Sequence, residues 1–265
     1  HVYAVKRLNL AIDNETSNQE KEELKSLKRE VQKMSTVQSD YFIKYFTCGA
    51  DLKLGKFNIV MELVNGVDYR DVIVARRSLE VRFTESQILN WARQLGEALE
   101  YLHDTHKIVH EDLHDGNVMI TGLDKSNLVK DEEALLKSRI KILDLGLAKF
   151  KRKQHEMQTQ RTTQANTSVV EVNAWSVRGF KAIRAPEKIA NPGNTKVKYG
   201  SKVDMWAAGI LLAEATLCLP IEDWFPDRAT MQAFGVKLEL QQYILSKVKS
   251  ESPNLHNTIE RLLEP

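Results

Sequence analysis

The sequence predicts an α+β architecture of two lobes: a small, mainly antiparallel β lobe with one helix over residues 1–64, and a larger, mainly helical lobe over residues 65–265. Three observations carry this. A chain of 265 residues sits near the ~250–300 residues at which single hydrophobic cores stop growing, which suits one domain of two lobes. Short aromatic and β-branched runs are concentrated before residue 65. After Asn65-Gly66 the apolar residues recur at helical spacing instead.

Element by element, Val2, Tyr3, Val5 and Leu8 suit a strand, and Leu24, Leu27, Val31 and Met34 then mark one face of an amphipathic helix over Glu20 to Met34. Tyr41 to Cys48 and Phe57 to Leu63, split by the polar stretch Asp51 to Lys56, read as an antiparallel hairpin. Thr84 with Gln87 three residues later is a capping-box start, followed by Ile88, Ala92, Leu95, Leu99 and Leu102 on one long helical face. Val109, Val118, Ile120, Ile140, Ile142 and Leu143 predict brief strands near residues 108–110, 117–120 and 140–143. Residues 121–138 and 151–178 are polar inserts read as long loops, the second expected to be partly mobile because it is too polar to bury much surface. From Gly200 onward the pattern is helical.

Composition excludes several classes. Hydrophobic residues at 42% and charged residues at 28% are globular values, which rules out disorder for the bulk. The formal net charge of +2 provides no electrostatic footprint for nucleic acid. Two cysteines without a CxxC pair indicate neither a disulfide framework nor a zinc site, and fit an intracellular protein, cytoplasmic or nuclear. The longest apolar stretch, Met205 to Ala213, falls far short of the ~20 residues a membrane helix needs, so no membrane association is expected. His1 to Lys6 reads as a strand already under way and Leu262 to Pro265 ends without a cap, so the chain is expected to be trimmed at both ends.

The chemistry concentrates in two places. His110-Glu111-Asp112-Leu113-His114-Asp115-Gly116-Asn117 gathers carboxylates, imidazoles and a carboxamide on a turn between two apolar runs. Ile142-Leu143-Asp144-Leu145-Gly146 sends a carboxylate off a strand into a turn. Asp112, Asn117 and Asp144 are hard oxygen donors, which Mg²⁺ selects, and Mg²⁺ normally accompanies phosphate.

These motifs occur in the order found in the eukaryotic protein kinases, and the resemblance covers essentially the whole chain. Tyr3-Ala4-Val5-Lys6 resembles V-A-I-K, His110 to Asn117 resembles H-R-D-L-x-x-x-N, and Asp144-Leu145-Gly146 resembles D-F-G. Ala185-Pro186-Glu187 and Asp204-Met205-Trp206-Ala207-Ala208-Gly209 follow in place of A-P-E and the D-x-W-x-x-G of the large lobe's central helix. The resemblance implies a bilobal kinase fold, ATP and Mg²⁺ as cofactors, and a protein substrate with a Ser/Thr acceptor. Lys6 would hold the α- and β-phosphates with Glu30 as its ion-pair partner, Asp112 would be the catalytic base, and Asn117 and Asp144 would hold Mg²⁺. Met61 would be the gatekeeper, the backbones of Glu62 and Val64 would bind adenine, Ala4 and Met119 would sandwich the base, and Asp68 would meet the ribose.

The sequence also departs from the pattern. No G-x-G-x-x-G precedes Lys6, Glu111 stands where the family has Arg, and Phe180 replaces the threonine that contacts the catalytic Asp. Glu111 disfavours activation by a phosphate docked at that arginine. His114, in place of a lysine, can donate to a γ-phosphate only in the right tautomer or as the cation. Thr159, Thr162, Thr163, Thr167, Ser168 and Ser176 are candidate phosphorylation sites, and Glu187 is expected to pair with an Arg beyond Pro265. Two alternatives to an active protein kinase are a pseudokinase serving as a nucleotide-binding or scaffolding module, and a small-molecule kinase of the aminoglycoside phosphotransferase kind, whose catalytic loop Asp112 to Asn117 also resembles.

Overall fold

The structure, a computed structural model, describes residues 2–9, 18–51, 53–123, 131–145, 185–186, 200–224 and 239–264. They divide into two compact units, one running to Val64 and joined by the residues from Ile142 to Leu145, the other formed by Asn65 to Lys141 with the described residues from Ala185 onward. The expectations for Gly146, the 151–178 insert, Phe180, the candidate phosphorylation sites and Glu187 fall outside the described residues.

In the first unit, β1 (Tyr3–Asn9), β2 (Tyr45–Asp51) and β3 (Lys56–Glu62) form an antiparallel sheet in the order β1-β3-β2. Alternation decides its faces. Lys6 lies opposite Ile59 and Ala4 opposite Met61, while Arg7 faces Asn58 on the other side and donates to its Oδ1 at 3.0 Å. Phe57 and Ile59 are fully buried. Between β2 and β3 the Asp51 carboxylate accepts from the Leu54 amide at 3.1 Å and Gly55 adopts φ 57°, a left-handed conformation glycine takes without a Cβ penalty.

The helix α1 (Asn18–Ser35) buries Leu27, Val31 and Met34 and packs against β2. Their spacing of four and three residues places them on one face, and burying each contributes roughly 1.5–3 kcal/mol. The first hairpin strand starts later than the run Tyr41 to Cys48 predicts. Phe42 forms an isolated parallel bridge with Ile142, the Ile142 amide donates to the Tyr41 carbonyl at 2.7 Å, and antiparallel pairing begins only at Tyr45. The backbone groups of Tyr41 to Ile43 are therefore spent on a different partner strand.

In the second unit, β4 (Gly66–Asp68), β5 (Val118–Thr121) and β6 (Arg139–Ile142) form a small sheet in that order. Beside it lie α2 (Tyr69–Ser78) and α3 (Glu85–Glu100), and α3 begins with the expected capping box. Thr84 accepts from the Gln87 amide at 3.3 Å and the Gln87 side chain accepts from the Thr84 amide at 2.9 Å. The last turn widens into a π-turn over Tyr101–Thr105.

Residues 108–110 form no strand. The Ile108 amide donates to the Leu102 carbonyl at 3.1 Å and the His110 amide to a carboxylate, so these groups are already engaged. The 121–138 insert is not a plain loop either. It contains α4 (Glu132–Lys137), capped by Asp131, which accepts from the Ala134 amide at 2.8 Å. One and a half turns are too short for periodicity to register. Its fully buried Leu135 and the bonds that Gln87, Trp91 and Gln94 of α3 make to Glu132 and Ser138 hold it instead.

The central helix α5 (Lys202–Leu217) is apolar nearly all round and accordingly buried. It packs on α3, on α6 (Glu239–Glu251) and on α7 (Pro253–Leu262). The Tyr69 hydroxyl donates to the Leu211 carbonyl of α5 at 2.6 Å. Among the described residues no helix is long and apolar enough to cross a membrane.

Candidate active site

The first unit carries a cation and a carboxylate. Lys6 projects from β1 on the face it shares with Ala4, and its ammonium donates to both carboxylate oxygens of Asp144. The side chains are 25% and 14% exposed, so the pair is shielded without being sealed from water. Asp144 adopts φ 60°, a left-handed conformation that costs a non-glycine residue of order 1–3 kcal/mol and here turns the chain sharply after β6. Leu145 beyond it is fully buried. Tyr45 is buried too. Burial first, then the Asp144 charge, pushes that phenol far up.

Glu30 occupies a half-buried position on α1, four residues before Met34. Met61 and Glu62 end β3. Glu62 is tied back to Lys44 twice, through its amide to the Lys44 carbonyl at 2.9 Å and through its Oε2 from the Lys44 amide at 3.2 Å. Val64 follows at a half-buried position.

The second unit carries the loop from His110 to Asn117, held by Asp204 in the first turn of α5. This carboxylate is 1% exposed and accepts three N–H groups: Oδ2 from the His110 amide at 2.7 Å, Oδ1 from the Glu111 amide at 2.8 Å, and Oδ2 from His103 Nε2 at 2.8 Å. Charge-assisted bonds of this kind are the strong ones. They fasten the loop where Glu111 stands at φ 63°. Next, His110 Nδ1 accepts from the Asp112 amide at 3.2 Å, and the Asp112 carbonyl accepts from Asn117 Nδ2 at 2.8 Å. The loop is thus bonded internally across the two residues expected to act as base and metal ligand. With its amide nitrogen committed, Asn117 has Oδ1 as its donor atom toward a cation.

His114 Nδ1 accepts from the Gly116 amide at 3.1 Å, starting the short 3-10 turn Asp115–Asn117. That bond assigns the neutral ring's proton to Nε2, the donor the sequence reading of His114 requires. Burial raises the Asp115 carboxyl, but His114 and the Arg70 guanidinium at 3.1 Å more than offset it and hold the group below the usual carboxylate range. At 3.8 Å the His114–Asp115 contact is an ion pair only when the imidazole is charged. Asp68 on β4 lies opposite Met119 on β5. A Cβ at Gly66 would stand 2.7 Å from the Ile120 carbonyl oxygen, so this close strand approach requires glycine.

Sequence reasoning named Asp204 only as part of a motif and missed its work on the loop. The available signal was a carboxylate in the first turn of an otherwise apolar helix. For His103 and for the Arg70–Asp115 pair there was none, because only tertiary packing brings these partners together.

The donor chemistry suits Mg²⁺. Asp144 in the first unit and Asn117 in the second each offer a hard oxygen of the kind Mg²⁺ takes. An ion held by few protein oxygens, with water and phosphate completing its shell, is the form of binding Mg²⁺ prefers.

A family model described as "Protein kinase domain" matches residues 1–264, and the chain belongs to the protein kinase family. It is 28% identical over 215 residues to the serine/threonine-protein kinase Nek10 of Homo sapiens, covering 81% of this chain and 15% of that protein. It is 29% identical over 196 residues to the serine/threonine-protein kinase dst4 of Dictyostelium discoideum, covering 74% and 33%. Against the serine/threonine-protein kinase 10-A of Xenopus laevis it is 27% identical over 251 residues, covering 94% and 22%. The chain spans a third or less of each of these relatives.

Proposed function

We propose that this domain is a catalytically active, ATP- and Mg²⁺-dependent protein kinase that transfers the γ-phosphoryl group to a Ser/Thr hydroxyl of a protein substrate. The observation that carries this reading is the loop from His110 to Asn117, fastened to Asp204 at one end and closed by the Asn117–Asp112 bond at the other. Phosphoryl transfer asks chiefly for positioning and charge neutralisation, and a preorganised loop supplies the first.

Asp112 would orient the acceptor hydroxyl and take its proton. Lys6 would bind phosphate oxygens, with Glu30 as its counter-charge. Asn117 and Asp144 would hold Mg²⁺, which when bound would neutralise charge on the phosphates. His114 would donate from Nε2 to the transferred group. Ala4, Met61 and Met119 would form apolar walls for the base, the backbones of Glu62 and Val64 would meet its edge, and Asp68 would meet the ribose. Ser/Thr choice is supported by the chain's similarity to serine/threonine-protein kinases. The free thiols of Cys48 and Cys218 support an intracellular setting, cytoplasmic or nuclear.

The test uses the full-length protein containing this domain, labelled ATP, Mg²⁺ and a generic protein acceptor. Wild type is compared with Asp112→Asn and Lys6→Met. Removing a general base is expected to cost about 10²–10⁴-fold in transfer. If wild type transfers no more label than Asp112→Asn, the active-kinase reading is wrong. Thermal stabilisation by ATP in that case would favour the pseudokinase.

A further inference from the structure

Both carboxylate oxygens of Asp144 accept from the Lys6 ammonium. One side chain therefore serves two incompatible partners. A divalent cation binds through the same lone pairs that Lys6 occupies, and the two positive charges repel at that range. We propose that Lys6 guards Asp144 against divalent metal until a phosphate ligand draws the ammonium away, making metal binding conditional on nucleotide. The inference rests on the reading of Asp144 as a metal ligand and Lys6 as a phosphate ligand.

The geometry favours a guard over an incidental surface pair. Lys6 is fixed by strand alternation, since its neighbours Val5 and Arg7 point to the opposite face and the register with Ile59 leaves it no other side. Asp144 is fixed by its left-handed backbone and by the buried Leu145 that follows. Neither group has to be recruited, so the pair forms with little loss of side-chain freedom. Its partial shielding places it between exposed ion pairs, which change an equilibrium only a few-fold, and buried ones, which change it far more.

Linkage makes the effect reciprocal. Nucleotide phosphate that engages Lys6 frees Asp144 for metal, and metal on Asp144 releases Lys6 for phosphate, by the same factor. Removing the ammonium should therefore have opposite consequences for two functions: phosphate binding falls, while nucleotide-free metal binding rises.

The experiment is titration of Mn²⁺, as a paramagnetic stand-in for Mg²⁺, into the nucleotide-free protein, with free Mn²⁺ read by electron paramagnetic resonance. No ATP or acceptor is present, so the outcome does not depend on catalytic turnover. Lys6→Met is expected to bind Mn²⁺ about tenfold more tightly than wild type, whereas Lys6→Arg, which keeps the charge, should match wild type. Asp144→Asn should lose this binding, both alone and combined with Lys6→Met. Circular dichroism melting of each variant confirms that a folded protein is being titrated. Equal or weaker Mn²⁺ binding by folded Lys6→Met overturns the proposal, as does a gain that survives Asp144→Asn. An inactive wild type in the transfer assay alongside the tenfold Mn²⁺ gain would remove the catalytic reading and leave the guard standing.

Discussion

Replacing Asp204 by Asn tests the claim that one buried carboxylate organises the catalytic loop. Oδ2 serves the His110 amide and His103 Nε2, and Oδ1 serves the Glu111 amide. Asn retains one acceptor oxygen, and its amide nitrogen can only donate. Turned one way it strands Glu111; turned the other it strands His110 and His103. In both cases an NH₂ group faces an N–H group in a site that is 1% exposed. Bonds to charged groups contribute ~1.5–3 kcal/mol each, and an orphaned buried donor costs ~1–3 kcal/mol. With at least one bond lost and the remainder weakened by loss of charge, the destabilisation should be about 2–4 kcal/mol, within the ~5–15 kcal/mol of a typical domain. The variant should therefore fold and be measurable by urea denaturation. Phosphoryl transfer should fall by roughly 10²-fold or more, because in either orientation the loop carrying Asp112 loses at least one of the two amide bonds that fasten it and relaxes. A urea midpoint equivalent to less than ~0.5 kcal/mol of change together with undiminished transfer would refute the reasoning, since a bond to a charged group is worth several times that.

Two further outcomes follow from the packing and electrostatics. A Cβ at Gly209 of α5 would lie 2.8 Å from Leu263 Cδ2 and 3.1 Å from Leu262 Cβ, and Leu263 is fully buried, so Gly209→Ala should force α7 away from α5. Overpacking of ~1–3 kcal/mol outweighs the ~1 kcal/mol gain in helix propensity, predicting a net loss near 1 kcal/mol in a thermal melt; a rise in Tm would show that the helices yield freely. For Asp115 the folded carboxyl lies below its ordinary range, so its stabilisation is complete above the unfolded value of ~3.9 and is lost as pH falls through the lower folded value. Asp115→Asn should accordingly be less stable than wild type at pH 7 and should converge with it once pH falls below the lowered folded value, as acid titration of unfolding will show.

The elements that were legible in advance are those whose signal is local. The capping box at Thr84 and Gln87, the apolar face of α1 and the strand character of β1 and β3 each follow from residues within a few positions of one another. The candidate site residues were named for a related reason: they stand in short motifs whose spacing survives wherever the elements pack. Sequence reading went astray where a partner lies far along the chain. Residues 108–110 have strand composition, but a strand needs a neighbouring ladder, and here Leu102 and Asp204 take the amides instead. Residues 121–138 read as a loop because α4 is short, and its stability comes from α3 side chains more than forty positions away.

By itself, then, the sequence determined the family and the α+β architecture and named the candidate residues for the chemistry, because these depend on residue type and near-neighbour spacing. Only the tertiary structure decided how those residues are held: that Asp204 is the anchor of the loop from His110 to Asn117, and that Lys6 rests on Asp144. The physical reason is that a hydrogen bond or ion pair depends on distances of about 3 Å and on direction, and contacts across 94 or 138 positions of chain are set by the packing of whole elements, which no local pattern encodes.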